Sequence, residues 1–124
     1  MTKGGSNWQS WTGTTAFTYT ARTTTSGGTG SITATVSSGT FFSGSGITYA
    51  DLTYTTTRSG SVGTAVGSST AVATTATNIV SAFGADAHTA DGGDTGTIGW
   101  TLADRATYKT GQTTAVVTLT ISVT

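Results

Sequence analysis

Few side chains in this sequence could carry out acid–base or nucleophilic chemistry. The chain has one histidine, His88, five aspartates, and no cysteine or glutamate. A Ser–His–Asp set could be drawn with any of the serines, but none of them stands at a strand–turn–helix nucleophile elbow. Paired carboxylates for general acid–base catalysis would have to come from the aspartates alone. We therefore expect that the protein is not an enzyme.

Three aspartates stand close together in a glycine-rich segment, residues 84–96. Asp86, Asp91 and Asp94 fall within nine consecutive positions of this segment. Calcium prefers several carboxylate and carbonyl oxygens on a flexible loop, and this segment could supply them. The spacing does not follow the EF-hand pattern, and Asp and Gly are also ordinary turn residues. The sequence leaves a calcium site and a plain loop as open interpretations, and it predicts no other cofactor.

Aromatic side chains near the N-terminus are candidates for binding a partner. Trp8 and Trp11 precede the first predicted strand and have polar neighbours. An exposed indole stacks on a sugar ring or anchors a protein partner, whereas a buried one covers the end of a core. Both interpretations remain open. We predict partner contacts at Trp8 and Trp11, followed by Phe17 and Tyr19 in the adjoining strand.

The composition points to strands that display threonine on their surface. The chain has 34 Thr, 14 Ser and 18 Gly among 124 residues, whereas charged residues make up only 8%. Threonine is β-branched and fits a pleated surface, while Gly and Ser suit turns. Two Lys, three Arg, two Gln and no Glu are too few to cover the wet faces of helices. The sequence therefore predicts an all-β protein.

Charge and hydropathy exclude two classes of partner. The formal net charge is zero and the basic residues are scattered, which is unlike a nucleic-acid-binding surface. No run of 18 apolar residues is present, so we expect no membrane span. Residues 1–6 lack the apolar core of a signal peptide, so they are interpreted as an added start or as the beginning of a chain whose signal has been removed.

Alternating apolar and polar residues locate the strands. The clearest predicted strands are 14–23, 31–37, 47–57, 97–102 and 114–124, and residues 65–83 could hold a further strand followed by a short helical turn. The first two are separated by a glycine-rich turn and are predicted to form a hairpin. A phase change between Tyr49 and Leu52 predicts a β-bulge near Ala50 and Asp51. Thr77–Phe83 is predicted as the one helical piece.

These elements predict an Ig-like antiparallel β-sandwich of seven or eight strands. Turn signals recur at the spacing typical of sandwiches, and no internal repeat indicates a solenoid or propeller. We assign residues 13–124 to the sandwich. Residues 1–12 are predicted to be an N-terminal arm, which could either fold back on its own sheet or reach a neighbouring subunit.

The C-terminal third resembles a group of extracellular proteins. Ile98–Leu102, Tyr108–Gly111 and Val116–Ser122 place a tyrosine and a glycine ahead of an alternating terminal strand. This pattern, with few charges and much Thr, Gly and Ser, resembles Ig-like β-sandwich subunits of bacterial and archaeal fibres and surface layers. The resemblance implies an extracellular structural subunit and assigns no functional residue.

The sequence therefore favours a structural subunit of an extracellular filament or surface layer. Its partners would be copies of itself, joined by strand addition or arm exchange, since strand 114–124 and the arm could both pair with a neighbour. A carbohydrate-binding or adhesin module is the alternative, with a glycan partner and a rim of aromatic residues. Candidates for that rim are Trp8, Trp11, Phe41, Phe42 and Tyr49. A viral or phage surface protein is a third possibility.

Overall fold

The computed structural model describes residues 1–5, 9–37, 45–67, 70–109 and 114–124. These ranges hold nine strands and one short 3-10 turn, Tyr49–Asp51. The strands are Thr2–Lys3 (β1), Trp11–Tyr19 (β2), Gly30–Ser37 (β3), Leu52–Ser59 (β4), Thr64–Ala65 (β5), Thr70–Ala71 (β6), Thr77–Phe83 (β7), Asp94–Leu102 (β8) and Val116–Val123 (β9).

The strands form two antiparallel sheets. One has the order β1-β2-β8-β4-β6 and the other the order β5-β7-β3-β9. Every pairing between neighbouring strands is antiparallel. The all-β, sandwich-like architecture expected from the composition is confirmed. The described strands number nine, because β1, β5 and β6 are two-residue pieces that alternation alone does not reveal.

The core lies between the central strands of the two sheets. Ile79, Val80 and Ile98 have no exposed surface, and Tyr54 is 2% exposed. The buried apolar residues are Tyr19, Ala21, Ile32, Ala34, Val36, Ile47, Leu52, Tyr54, Val62, Val72, Ile79, Val80, Phe83, Ile98 and Leu102. Most of them come from β3, β4, β7 and β8, so the outer strands contribute less to the core.

The predicted hairpin of the first two long strands is wrong. β2 pairs with β8 along its whole length, whereas β3 pairs with β7 and β9 in the other sheet. The segment between them crosses from one sheet to the other. Its main chain is held on the way, because the Thr23 N–H donates to the Ala87 carbonyl at 2.9 Å and Arg22 bridges His88. These bonds satisfy the backbone without a hairpin turn.

The predicted helix at Thr77–Phe83 is also wrong, since this segment is β7. Its register against β3 shifts twice, between Gly30 and Ile32 and between Ile32 and Thr33. Each shift places an extra β7 residue in the ladder, as a β-bulge does. Apolar and polar residues therefore do not alternate strictly along β7, and the spacing of its apolar residues resembles that of a helix. Ala82 has a φ of 58° within this irregular stretch.

A 3-10 turn, and not the predicted β-bulge, accounts for the phase change before β4. The Asp51 carboxylate accepts hydrogen bonds from the Thr48 N–H at 2.9 Å and the Thr48 hydroxyl at 2.8 Å. The Asp51 N–H in turn donates to the Thr48 carbonyl at 3.0 Å. In the described ranges, no helix is long and apolar enough to cross a membrane.

Candidate functional site

The inward face of β9 is apolar and is uncovered from Leu119 onward, whereas Val117 packs against the core. β9 pairs with β3 so that Leu119 stands opposite Ala34 and Ile121 opposite Ile32. Directly opposed residues of an antiparallel pair point to the same face, and both β3 residues are only 3% exposed. Leu119 is nevertheless 36% exposed, and Ile121 is 43% exposed. The second sheet therefore covers β3 and stops short of β9.

The long edge of β9 carries none of the usual protection against strand pairing. β9 ends the order of its sheet, and β3 is its neighbour within the described residues. Natural sheets blunt their edges with charged residues, prolines, bulges or very short strands. Val116–Val123 contains no charged residue, glycine or proline, and its eight residues pair with β3 without a register shift. This edge is therefore competent to accept another strand.

The hydrogen bonds of β3 show which β9 groups face the open side. The Thr124 N–H donates to the Thr29 carbonyl at 2.9 Å, so position 124 points toward β3. The Val36 N–H donates to the Ala73 carbonyl at 2.9 Å, away from β9. Hydrogen-bonded and non-hydrogen-bonded pairs alternate along an antiparallel ladder. Even-numbered residues of β9 therefore bond to β3, and the N–H and C=O groups of Val117, Leu119, Ile121 and Val123 face outward.

The described part of the N-terminal arm folds back on its own chain. Thr2 pairs with Thr12, and Lys3 pairs with Trp11. The Lys3 ammonium lies 5.7 Å from the centre of the Trp11 ring and 2.9 Å from an Asp104 carboxylate oxygen. β2 begins at Trp11, so the expected boundary between residues 12 and 13 falls inside a strand.

The predicted partner-binding residues occupy different environments. Trp8 lies outside the described residues. Trp11 is 36% exposed, whereas Phe17 is half-buried. Tyr19 is 7% exposed, its ring stacks on Phe83 at 5.9 Å, and its hydroxyl donates to the Val62 carbonyl at 2.5 Å. Tyr19 is thus part of the core in this chain, and Trp11 offers the larger accessible surface.

The three aspartates predicted as calcium ligands do not share one site. Asp86 and Asp91 line an open cleft of about 660 Å³ together with Arg22 and His88. Asp94 is the first residue of β8 and is 2% exposed. Among the described residues, no three acidic, histidine or cysteine side chains are grouped so that they could hold a metal ion. The geometry gives the calcium prediction no support.

Asp94 instead belongs to a buried ionic contact. Its carboxylate accepts a hydrogen bond from the Val62 N–H at 2.7 Å and lies 3.6 Å from the Arg58 guanidinium. Gly60 packs against the carboxyl group, with a φ of 131°. The contact ties the turn after β4 to the start of β8. No feature of the sequence indicates the pairing, because Arg58 and Asp94 are 36 positions apart.

A second buried carboxylate, Asp51, fixes the turn before β4. It is 5% exposed and accepts a hydrogen bond from Arg105 Nε at 2.6 Å. Burial alone would raise its pKa, but the hydrogen bonds from Thr48 and Arg105, together with the nearby Tyr108 hydroxyl, outweigh burial and lower the pKa to about 2. The Thr-x-x-Asp spacing of residues 48–51 is a capping-box signature, and it could have identified this contact.

Comparison of the chain with protein-family models, curated protein sequences and solved structures gives no match. The resemblance to fibre and surface-layer subunits therefore stays an expectation from the sequence. The functional proposal rests on the open edge of β9.

Proposed function

We propose that this protein is a non-catalytic structural subunit of an extracellular filament or surface layer, which assembles with copies of itself by strand addition. The observation that carries the proposal is the open edge of β9. It offers outward-facing main-chain groups on one strand, next to apolar side chains that the second sheet leaves exposed. An added strand satisfies the main-chain groups and covers the side chains, and main-chain hydrogen bonds tolerate many sequences.

The low charge of the chain supports the same proposal. With five basic and five acidic residues, the formal net charge is zero. Soluble domains usually carry a net charge that keeps copies apart, whereas a charge near zero promotes association. Since Val116–Val123 has no charged residue, two copies meeting at this edge experience no direct repulsion there.

We place the accepting edge at β9 because the described part of the arm already has partners in its own chain. β1 pairs with β2, and Lys3 contacts both Trp11 and Asp104. An exchanged arm would have to give up these contacts first. β9 needs no such rearrangement, since no strand among the described residues pairs with its outer edge.

For the fold, we propose an Ig-like centre with exchanged outer strands. The pairs β3·β7 and β4·β8 correspond in chain order to the B·E and C·F pairs of an Ig sandwich. In constant-type Ig domains the first strand pairs with B and the last with F. Here the first long strand, β2, pairs with β8, and the last, β9, pairs with β3. The exchange moves β9 from the edge of one sheet to the edge of the other, beside β3.

The carbohydrate-binding alternative has less support in the described residues. Its predicted rim consists of five aromatic residues, of which Trp8, Phe41 and Phe42 lie outside the described ranges. Tyr49 is half-buried against the core, and Trp11 lies beneath Lys3. Neither residue presents a free aromatic platform.

Electron microscopy combined with light scattering tests the proposal. We expect the unmodified chain to form filaments or sheets with a regular repeat, and Ile121→Lys to remain monomeric because it places a charge in the exposed apolar face. Thr57→Lys is the matched control, since it adds the same charge to an exposed position on β4, which pairs with β8 in the other sheet and not with β9. A chain that stays monomeric under all conditions would contradict the proposal, as would assembly that both variants weaken equally.

A further inference from the structure

We propose that the strand received by β9 is the β9 of a second copy, paired antiparallel about a two-fold axis at Thr120. The inference deepens the proposed function, because it names the partner surface and the register. Three properties of β9 carry it: the direction of its free main-chain groups, its residue pattern and its lack of charge.

The free main-chain groups restrict the register. Only odd-numbered residues of β9 direct their N–H and C=O groups outward, so hydrogen-bonded pairs between two copies must join odd residues. When a two-fold axis relates two antiparallel strands, the residue numbers of each opposed pair add up to the same even number. Odd residues can therefore oppose odd residues, as the free main-chain groups require. A centre at Thr120 gives a sum of 240 and places all four odd residues in hydrogen-bonded pairs. The pair then forms eight main-chain hydrogen bonds, two from each odd pair.

The residue pattern of β9 is self-complementary about the same centre. On the inward face, apolar residues oppose apolar residues. On the outward face, hydroxyl residues oppose hydroxyl residues except at the strand end, where Val116 opposes Thr124. The opposed residues are Val117 with Val123, Leu119 with Ile121, Thr118 with Ser122, and Thr120 with itself. Cross-strand pairs of this kind stabilise a sheet by roughly 0.2–1 kcal/mol each. The exposed inward side chains of the two copies thereby form one apolar stripe.

The expected area determines how the pair should be detected. The seven β9 residues that oppose each other, 117–123, span about 23 Å, and facing sheets lie about 10 Å apart. The edge contact therefore covers about 230 Å² per copy, well below the roughly 800 Å² of a standard interface. Such a contact is weak in isolation and gains strength in an assembly with further contacts. Covalent trapping is therefore a better test than the oligomeric state at low concentration.

Single-cysteine variants provide that test, because the chain has no cysteine of its own. In the proposed register, Thr120 opposes Thr120 of the second copy in a non-hydrogen-bonded pair, with Cα atoms about 4.5 Å apart. This separation suits a disulfide. The two copies of Thr118 lie four residues apart along the strands, or about 13 Å, which is too far. Both threonines are exposed, so neither substitution disturbs the core.

We expect Thr120→Cys to form a disulfide-linked dimer under mild oxidation at least tenfold faster than Thr118→Cys, measured on non-reducing gels. Adding Ile121→Lys to Thr120→Cys should abolish this advantage. Equal rates for the two cysteine variants, or no dimer from Thr120→Cys, would overturn the proposed pairing.

The outcomes separate this inference from the proposed function. A two-fold β9 pair is closed, so a filament needs a second contact between dimers. Rapid linkage of Thr120→Cys without filaments supports the pairing and contradicts the filament proposal. Filaments without that linkage support the filament proposal and overturn the β9 pairing.

Discussion

Replacing Asp51 with asparagine should lower the stability of the fold in a pH-dependent way. The Asp51 carboxylate is buried and held by hydrogen bonds from Thr48 and Arg105, and its pKa is about 2, below the ordinary 3.8. At full strength this difference corresponds to about 2.4 kcal/mol, since one pKa unit is about 1.4 kcal/mol. The Arg105 side chain is 59% exposed, so solvent screens part of the interaction. We expect a loss of about 1–1.5 kcal/mol for Asp51→Asn at pH 7.

The sign of the pH dependence follows from the lowered pKa in the folded state. The charged carboxylate stabilises the fold fully above pH 4, and this contribution disappears as the pH falls from about 4 through 2. Urea unfolding of both proteins at pH 7, 4 and 2 measures it, at concentrations where light scattering shows monomers. The difference between them should shrink to under about 0.5 kcal/mol at pH 2. A difference that is absent at pH 7, or constant across this range, would refute the assigned role of the Asp51 charge.

Two further substitutions test the buried contact between β4 and β8. Gly60→Ala should lower the free energy of unfolding by about 2 kcal/mol or more, because its Cβ would overlap the Asp94 carboxyl group at a positive φ. Gly67→Ala is the control: its Cβ meets no atom within 4 Å, so the free energy of unfolding should stay within about 1 kcal/mol of the unmodified chain. Asp94→Asn should cost about 2–3 kcal/mol, since it leaves the Arg58 guanidinium without its counter-charge, and Asp91→Asn at an exposed position is the control. Urea unfolding measures both, and costs equal to those of the controls would contradict the described packing.

The sequence predicts β3 and β9 well because apolar and hydroxyl residues alternate along 31–37 and along 117–123 without interruption. The predicted strand 31–37 matches Gly30–Ser37, and the predicted strand 114–124 contains Val116–Val123. The all-β class follows from the abundance of threonine and the shortage of helix-forming surface residues. These features are local in the sequence, so a single sequence is enough to predict them.

The errors arise where long-range contacts determine the structure. The pairing of β7 with β3 determines two bulges in β7. Because of these bulges the apolar residues of β7 are spaced as in a helix, so the sequence predicts a helix there. The glycine-rich turn after β2 predicts that β2 pairs with the next strand in the sequence. In the structure β2 pairs with β8, which lies far along the chain. Asp94 resembles a loop carboxylate because nothing near it in sequence reveals Arg58.

The open edge was only partly predictable. Alternation identifies the apolar face of β9, but its exposure depends on where the second sheet ends. The side chains of Leu119 and Ala34 are both apolar in sequence, and only the packing shows that one is uncovered. The pairing of β9 with β3 likewise has no local signature, because the two strands are far apart in the sequence.

Residue-resolved amide hydrogen exchange on β9 tests strand addition most directly. The free chain and its assembly are compared after identical labelling times. We predict at least tenfold slower exchange in the assembly at Val117, Leu119, Ile121 and Val123, whose N–H groups face the open edge. The even-numbered amides, which already bond to β3, should slow much less in the same comparison. An assembly in which the odd-numbered amides exchange as fast as in the free chain would contradict strand addition at β9.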